Sequence, residues 1–170
     1  MLDVQGAKDT FYATLRDRVA GGNAARTIEV RGVLRPGVVV GENELPGAAL
    51  DGIAPIEAFC MRWTGLRVET HGGPAIAALL CEIRYASDGS AGVAGMDRGR
   101  ALAAMDAELA IAVGTEPRAA DAIVSGAAGT GGAATGLPRV FWGEVTFGAA
   151  VMRGERMERT AEIEVFTYGS

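Results

Sequence analysis

The chain has one histidine, His71, one lysine, Lys8, and two cysteines, Cys60 and Cys81, in 170 residues. Each scarcity excludes something. A Ser-His-Asp or Cys-His apparatus needs a base beside its nucleophile. His71 sits instead in the turn-forming stretch Thr70-His71-Gly72-Gly73-Pro74, away from any serine. The spacings Cys60-x10-His71 and His71-x9-Cys81 fit no zinc pattern and lack a fourth ligand, so no metal is expected. Two cysteines do not make a disulfide scaffold. They are read as ordinary thiols, with Cys60 directed outward and Cys81 inward. The longest apolar runs, Ala75–Cys81 and Ala101–Val113, the latter broken by Asp106 and Glu108, fall well short of the roughly 20 residues of a membrane span. Met1 to Gly6 contains no basic segment leading into an apolar one, so no secretory signal is expected and the cytoplasm is the simplest location. Cationic excess is missing too. Sixteen Lys and Arg face 21 Asp and Glu, a net charge of −5. Arg153, Glu155, Arg156, Glu158 and Arg159 interleave the two signs. No basic stripe is available to displace counterions from a duplex, so sequence-specific nucleic-acid binding is not expected.

What is abundant is small. Alanine occurs 31 times and glycine 25 times, so the 49% hydrophobic fraction contains fewer large core formers than it suggests. The length predicts one domain, residues 1–170, large enough to fold without a staple.

Periodicity predicts a helix over Thr10–Ala20, with Phe11, Leu15 and Val19 on one stripe, Tyr12 widening it and Gly21-Gly22-Asn23 ending it. Arg26–Leu34 alternates as a strand. Pro36-Gly37 then turns the chain into Val38–Val40, giving a hairpin, and Gly41–Pro55 is a loop. Glu57–Glu69 reads as a strand whose apolar phase slips at Gly65, where a bulge would return Leu66 and Val68 to the face of Phe59, Met61 and Trp63. Ala75–Tyr85 returns, with Leu79, Cys81, Ile83 and Tyr85 inward. A second helix spans Asp97–Val113, capped by Asp97 and stopped at Gly114. Its stripe Leu102, Met105, Leu109 and Val113 is expected to pack on Leu79, Ile83, Ile163 and Val165. Residues 115–137 are predicted to form a flexible Gly/Ala-rich loop. Arg139–Phe147 and Glu158–Tyr168 are strands, the latter alternating Ala161, Ile163 and Val165 with Glu162 and Glu164. The order α-β-β-β-β-α-β-β predicts an α+β fold, a mostly antiparallel sheet with two helices on one face.

Gly129-Thr130-Gly131 with Ala134 formally matches a dinucleotide fingerprint. Thr135-Gly136-Leu137-Pro138 cannot supply the helix that must follow, so no cofactor is expected. Asp106 and Glu108, two apart on a helix, face different ways and form no paired-carboxylate site. No residue is assigned a catalytic role. Trp63 and Trp142 are read first as packing residues, and secondly as anchors of an oligomer contact.

The order of pieces resembles the lambda-like tail terminator proteins of long-tailed phages. The likeness lies in the N-terminal helix Phe11–Val19, the aliphatic-acidic strand Leu80-Cys81-Glu82-Ile83-Arg84-Tyr85, the helix with Met105-Asp106-Ala107-Glu108-Leu109, and the closing strand Arg159–Tyr168. It covers most of the chain apart from residues 41–56 and 114–137. It implies a structural protein without catalytic activity. In that family a ring, six-membered there, caps the tail tube and meets the head-completion proteins. It further implies a place in a bacterial host's cytoplasm or a virion. On that expectation subunits associate through sheet edges and the Gly/Ala loop. The long terminal strand motivates this, with Arg139, Arg153, Arg156 and Arg159 as candidate interface residues facing acids on a neighbour. The competing expectation is a small-ligand-binding or enzymatic α+β domain with a pocket lined by the tryptophans.

Overall fold

A computed structural model describes residues 2–44, 54–89, 97–123 and 139–169. Asp3 starts α1 (Val4–Gly22) by accepting the Gly6 N–H at 2.8 Å, and Asn23 ends it with its N–H on the Val19 carbonyl. The helix is longer at its N-terminus than its apolar stripe. That stripe, Ala7, Phe11, Leu15 and Val19, is buried as the 3.6-residue period requires.

Strands β1 (Thr27–Val30) and β2 (Val33–Pro36) form a two-stranded hairpin of their own. Its two-residue turn, Arg31-Gly32, has φ of 52° and 77°, the left-handed pair that matches strand twist. The expected pairing of residues 26–34 with Val38–Val40 is therefore wrong. β3 (Val38–Val40) leaves the hairpin and joins the main sheet parallel to β4 (Phe59–Glu69), all three valines buried. The expected loop that follows begins with a short helix, α2 (Gly41–Glu44); residues 45–53 lie outside the described residues.

The main sheet runs β3-β4-β5-β10-β7-β6, where β5 is Ile76–Ser87, β6 Ala119–Asp121, β7 Arg139–Trp142 and β10 Arg156–Tyr168. Two further short strands, β8 (Thr146–Phe147) and β9 (Val151–Arg153), also pair with β10. The long terminal strand is thus interior. β5 lies along one side, and β9, β8 and β7 follow one another along the other. Association through an edge of this strand is ruled out by that position. Of the expected loop 115–137, Ala119–Asp121 is strand β6, paired with β7; residues 124–138, which hold the Gly/Ala-rich run and the formal fingerprint, lie outside the described residues.

The slip in β4 is where the sequence puts it. Trp63 stands opposite Cys81 and Gly65 opposite Leu80, leaving Thr64 as the extra residue. Beyond it Leu66 faces Leu79 and Val68 faces Ala77, back on the inner face. Leu79 and Ala77 are fully buried while Leu66 and Val68 are 56% and 46% exposed. The helical layer covers β5 and the first half of β4, where Phe59 and Met61 are fully buried, but not β4 beyond the bulge.

Helices α1 and α3 (Asp97–Gly114) cover the inner face as the α+β reading requires. Leu102, Met105, Leu109 and Val113 share one core with Leu79, Ile83, Ile163 and Val165. Phe11 sits between the two tryptophans, its centroid 6.1 Å from Trp63 and 5.4 Å from Trp142, both edge-on. Trp142 is buried with its indole N–H on the Val113 carbonyl at 2.9 Å, so its packing role holds. Arg18 donates to the carbonyls of Ala112, Thr115 and Pro117, taking up acceptors at and beyond the C-terminal end of α3.

Candidate functional site

The face of the sheet away from the helices is built by the alternate residues of β4, β5 and β10. Register sets them in rows: Arg62, Glu82 and Glu162; Leu80 and Glu164; Arg67, Ala78 and Phe166; Glu69, Ile76 and Tyr168. β7 adds Phe141 beside Phe166. Towards the C-terminal end of β10 an apolar group lies beside the exposed charges Arg67, Glu69 and Glu164. Leu80, Phe141 and Tyr168 are 36%, 37% and 42% exposed, and Phe141 meets Tyr168 edge-on at 5.8 Å. A depression of about 270 Å³ beside them is lined by Leu80, Phe166, Thr146 and the acids Glu144, Glu162 and Glu164, among others.

At the other end of β10 the character is cationic. Arg84, Arg153 and Arg159 line a cavity of about 90 Å³ with Glu158 and Thr160. Each guanidinium has a partner: Arg84 holds Glu82, Arg153 reaches Glu158 at 3.1 Å, and Arg159 reaches Asp106 at 2.8 Å and the Gly148 carbonyl. Arg156 donates to the Ala54 carbonyl. Of the four arginines expected at an interface, three are brought to this corner and two of these, Arg156 and Arg159, serve the fold. Arg153 remains largely exposed. The fourth, Arg139, is distant in the fold, on β7, where it reaches Asp121 at 3.3 Å and is also largely exposed.

Behind that corner lies a network the sequence did not suggest. Tyr85 donates its hydroxyl to Asp106 at 2.5 Å, so Asp106 binds both β5 and β10 to α3. Burial, then the bond to Asp106, pushes the Tyr85 phenol up, keeping it a donor. Glu108 looks the other way. It takes Arg26 Nε at 2.5 Å and Asn23 at 2.9 Å, and Arg26 also reaches Glu57 at 3.1 Å. The divergence of Asp106 and Glu108 is as expected. Their partners are interior rather than solvent, and the only signal was an acidic pair on a helix with few other charges.

A groove of about 330 Å³ separates α1 from the edge of the sheet, lined by Gln5, Lys8, Asp9, Tyr12, Glu42 and Trp63 among others. Lys8 lies 5.8 Å from the Trp63 ring centre, and Glu42 accepts the Trp63 backbone N–H at 3.3 Å. Trp63 alone lines it, since Trp142 is inside. His71 is exposed in its turn. Burial pushes the Cys60 thiol up to about 11 and the Cys81 thiol further, so both stay protonated and weakly nucleophilic at neutral pH. Among the described residues no group of three or more His, Cys, Asp or Glu is arranged to hold a metal ion. No helix among them is long and apolar enough to cross a membrane. The chain matches no family model and no curated protein.

Proposed function

We propose that the chain is a structural assembly protein of the tail-terminator type, a ring subunit that caps a tail tube and meets the head-completion proteins, and that it works by contact rather than turnover. The observation that supports this reading is the apolar group Leu80, Phe141, Phe166 and Tyr168, edged by Arg67, Glu69 and Glu164, on a face that no described element covers. A sheet face of this kind takes a helical layer, as the opposite face does here. The outward side of α3 suits it: Ala103, Ala104, Ala107, Ala110 and Ile111 are exposed, with Arg100 the one charge at the N-terminal end of this stripe, and Ile111 is 67% exposed. The helix of one copy on the bare sheet of the next is a head-to-tail contact, which closes into a ring when the rotation permits. Arg139 and Arg153 are the expected interface arginines left free enough to join it.

The test is sedimentation velocity and negative-stain imaging of the chain alone and with a tail-tube protein. Rings, or a stable complex with the end of a tube, are expected. A chain that ignores the tube at high concentration would overturn the reading.

A further inference from the structure

The outer edge of β4 is a second exposed feature, different from the face above and independent of the terminator reading. β3 pairs β4 only at Phe59–Met61, and Glu42 takes the next edge N–H, that of Trp63. From Thr64 to Glu69 no described strand lies alongside. This stretch is regular beyond the bulge, puts Leu66 and Val68 on the inner face more than 40% exposed, and puts Arg67 and Glu69 on the outer face. Unpaired ladder groups next to exposed aliphatics are a template for another strand.

We propose that this edge pairs with the same edge of a second copy, antiparallel, about a two-fold axis through Val68. Charge selects both the occupant and the register. With the axis at Val68, Arg67 stands opposite Glu69 of the second copy and Glu69 opposite its Arg67, while the two Val68 side chains meet and each Leu66 lies diagonal to the other Val68. An axis at Arg67 or Glu69 sets like charges face to face, which disfavours it. An axis at Leu66 leaves both charges unmatched and needs the N–H that Glu42 already holds. Within one chain Arg67 reaches Glu69 at 3.1 Å and Glu164 at 3.5 Å, with side chains 65%, 56% and 45% exposed. These exposed pairs are weak and exchange readily for their cross-copy equivalents. The contact is self-complementary, so it closes at two copies.

The test uses Arg67→Glu, Glu69→Arg, the double variant and a one-to-one mixture of the singles, followed by sedimentation equilibrium of the full chain. Each single variant puts like charges at both cross-copy positions, and dimerisation should weaken by about tenfold. The mixture restores both opposite-charge pairs, as does the double variant, and both should recover the parent affinity. Circular dichroism checks that the singles fold. Val68→Cys gives an independent readout. Opposed Cα atoms in an antiparallel pair are about 4.5–5.5 Å apart, within disulfide range, so mild oxidation should link two copies through residue 68, whereas Thr64→Cys should not link. A parent that stays monomeric at millimolar concentration, a mixture no tighter than the singles, or equal cross-linking at positions 64 and 68 would overturn the pairing. None of these outcomes bears on binding to a tail tube, which the α3 and sheet-face contact decides.

Discussion

Arg26 is the residue on which three separate stretches of chain converge. Its guanidinium is only 8% exposed, lies 5.9 Å from the Phe59 ring centre, and is held by Glu108 from α3 and Glu57 from the start of the β4 segment. A buried cation is tolerable only while its acids stay charged. The bond from Arg26 holds the Glu108 carboxyl below the ordinary carboxylate range, with the bond from Asn23 adding to it. Stability from this group is therefore fully present above the unfolded carboxyl value of about 4.3, and is lost as pH falls through the lower folded value. Glu108→Gln should cost about 2–3 kcal/mol at neutral pH, because Arg26 keeps Glu57 but loses its closer acid. Urea denaturation of parent and variant at pH 7 and below pH 4 checks this, and the gap between them should narrow on acidification. Tyr85 offers a second measurement. Absorbance titration should show a late tyrosine ionisation, and Tyr85→Phe should remove that step at a cost of about 1 kcal/mol.

The elements divide by how much of their environment the sequence carries. Helix α3 announces itself because Leu102, Met105 and Leu109 repeat at helical spacing and all three are buried against the sheet. Leu109→Ala should cost about 2–5 kcal/mol in chemical denaturation, and a loss far below 1 kcal/mol would place the stripe off the core. The bulge in β4 was equally legible, since an apolar phase shift at a glycine has few other causes. Pairing partners were not. Three consecutive valines at 38–40 say that a strand is buried on both faces, and say nothing about whether it returns on β1–β2 or runs parallel to β4. Arg31-Gly32 gave no turn signal because arginine is an unusual residue at positive φ. Ala119–Asp121 lacks any alternation, so β6 could not be read. The alternation of β10 showed its two faces but not that both of its edges are taken. Of the candidate site, the arginines were visible as an interleaved charge pattern. Only the fold shows that Arg156 and Arg159 are spent on Ala54, Gly148 and Asp106.

At the scale of the whole molecule, one layer of helices covers one face of the sheet, and no described element covers the other. Such a two-layer body has two unlike surfaces to offer, and a subunit that uses both at once propagates. Phe141→Glu and Ile111→Glu lie on these opposite surfaces and touch no core position. Each should leave the melting temperature of the isolated chain within a few degrees of the parent, consistent with the small cost of surface changes. On the proposed head-to-tail contact, each should abolish self-assembly by itself, and mixing the two should rescue no more than a single junction. Loss of assembly by only one of the two would rule out a head-to-tail contact between these faces. Reversing Arg156 and Arg159 instead is expected to destabilise the subunit, because their partners are internal.

The packing of Phe11 between two indoles also makes the protein report on itself optically. Trp142 is dry and should emit at short wavelength, whereas Trp63, beside the groove and Lys8, should emit nearer the aqueous value and be open to a soluble quencher. Both rings lean on one side chain of α1. Displacement of that helix, by heat or by a binding partner, would wet Trp142 and shift the emission to the red while the sheet is still intact. A red shift that precedes the loss of far-ultraviolet β signal would therefore time the release of α1 without any label.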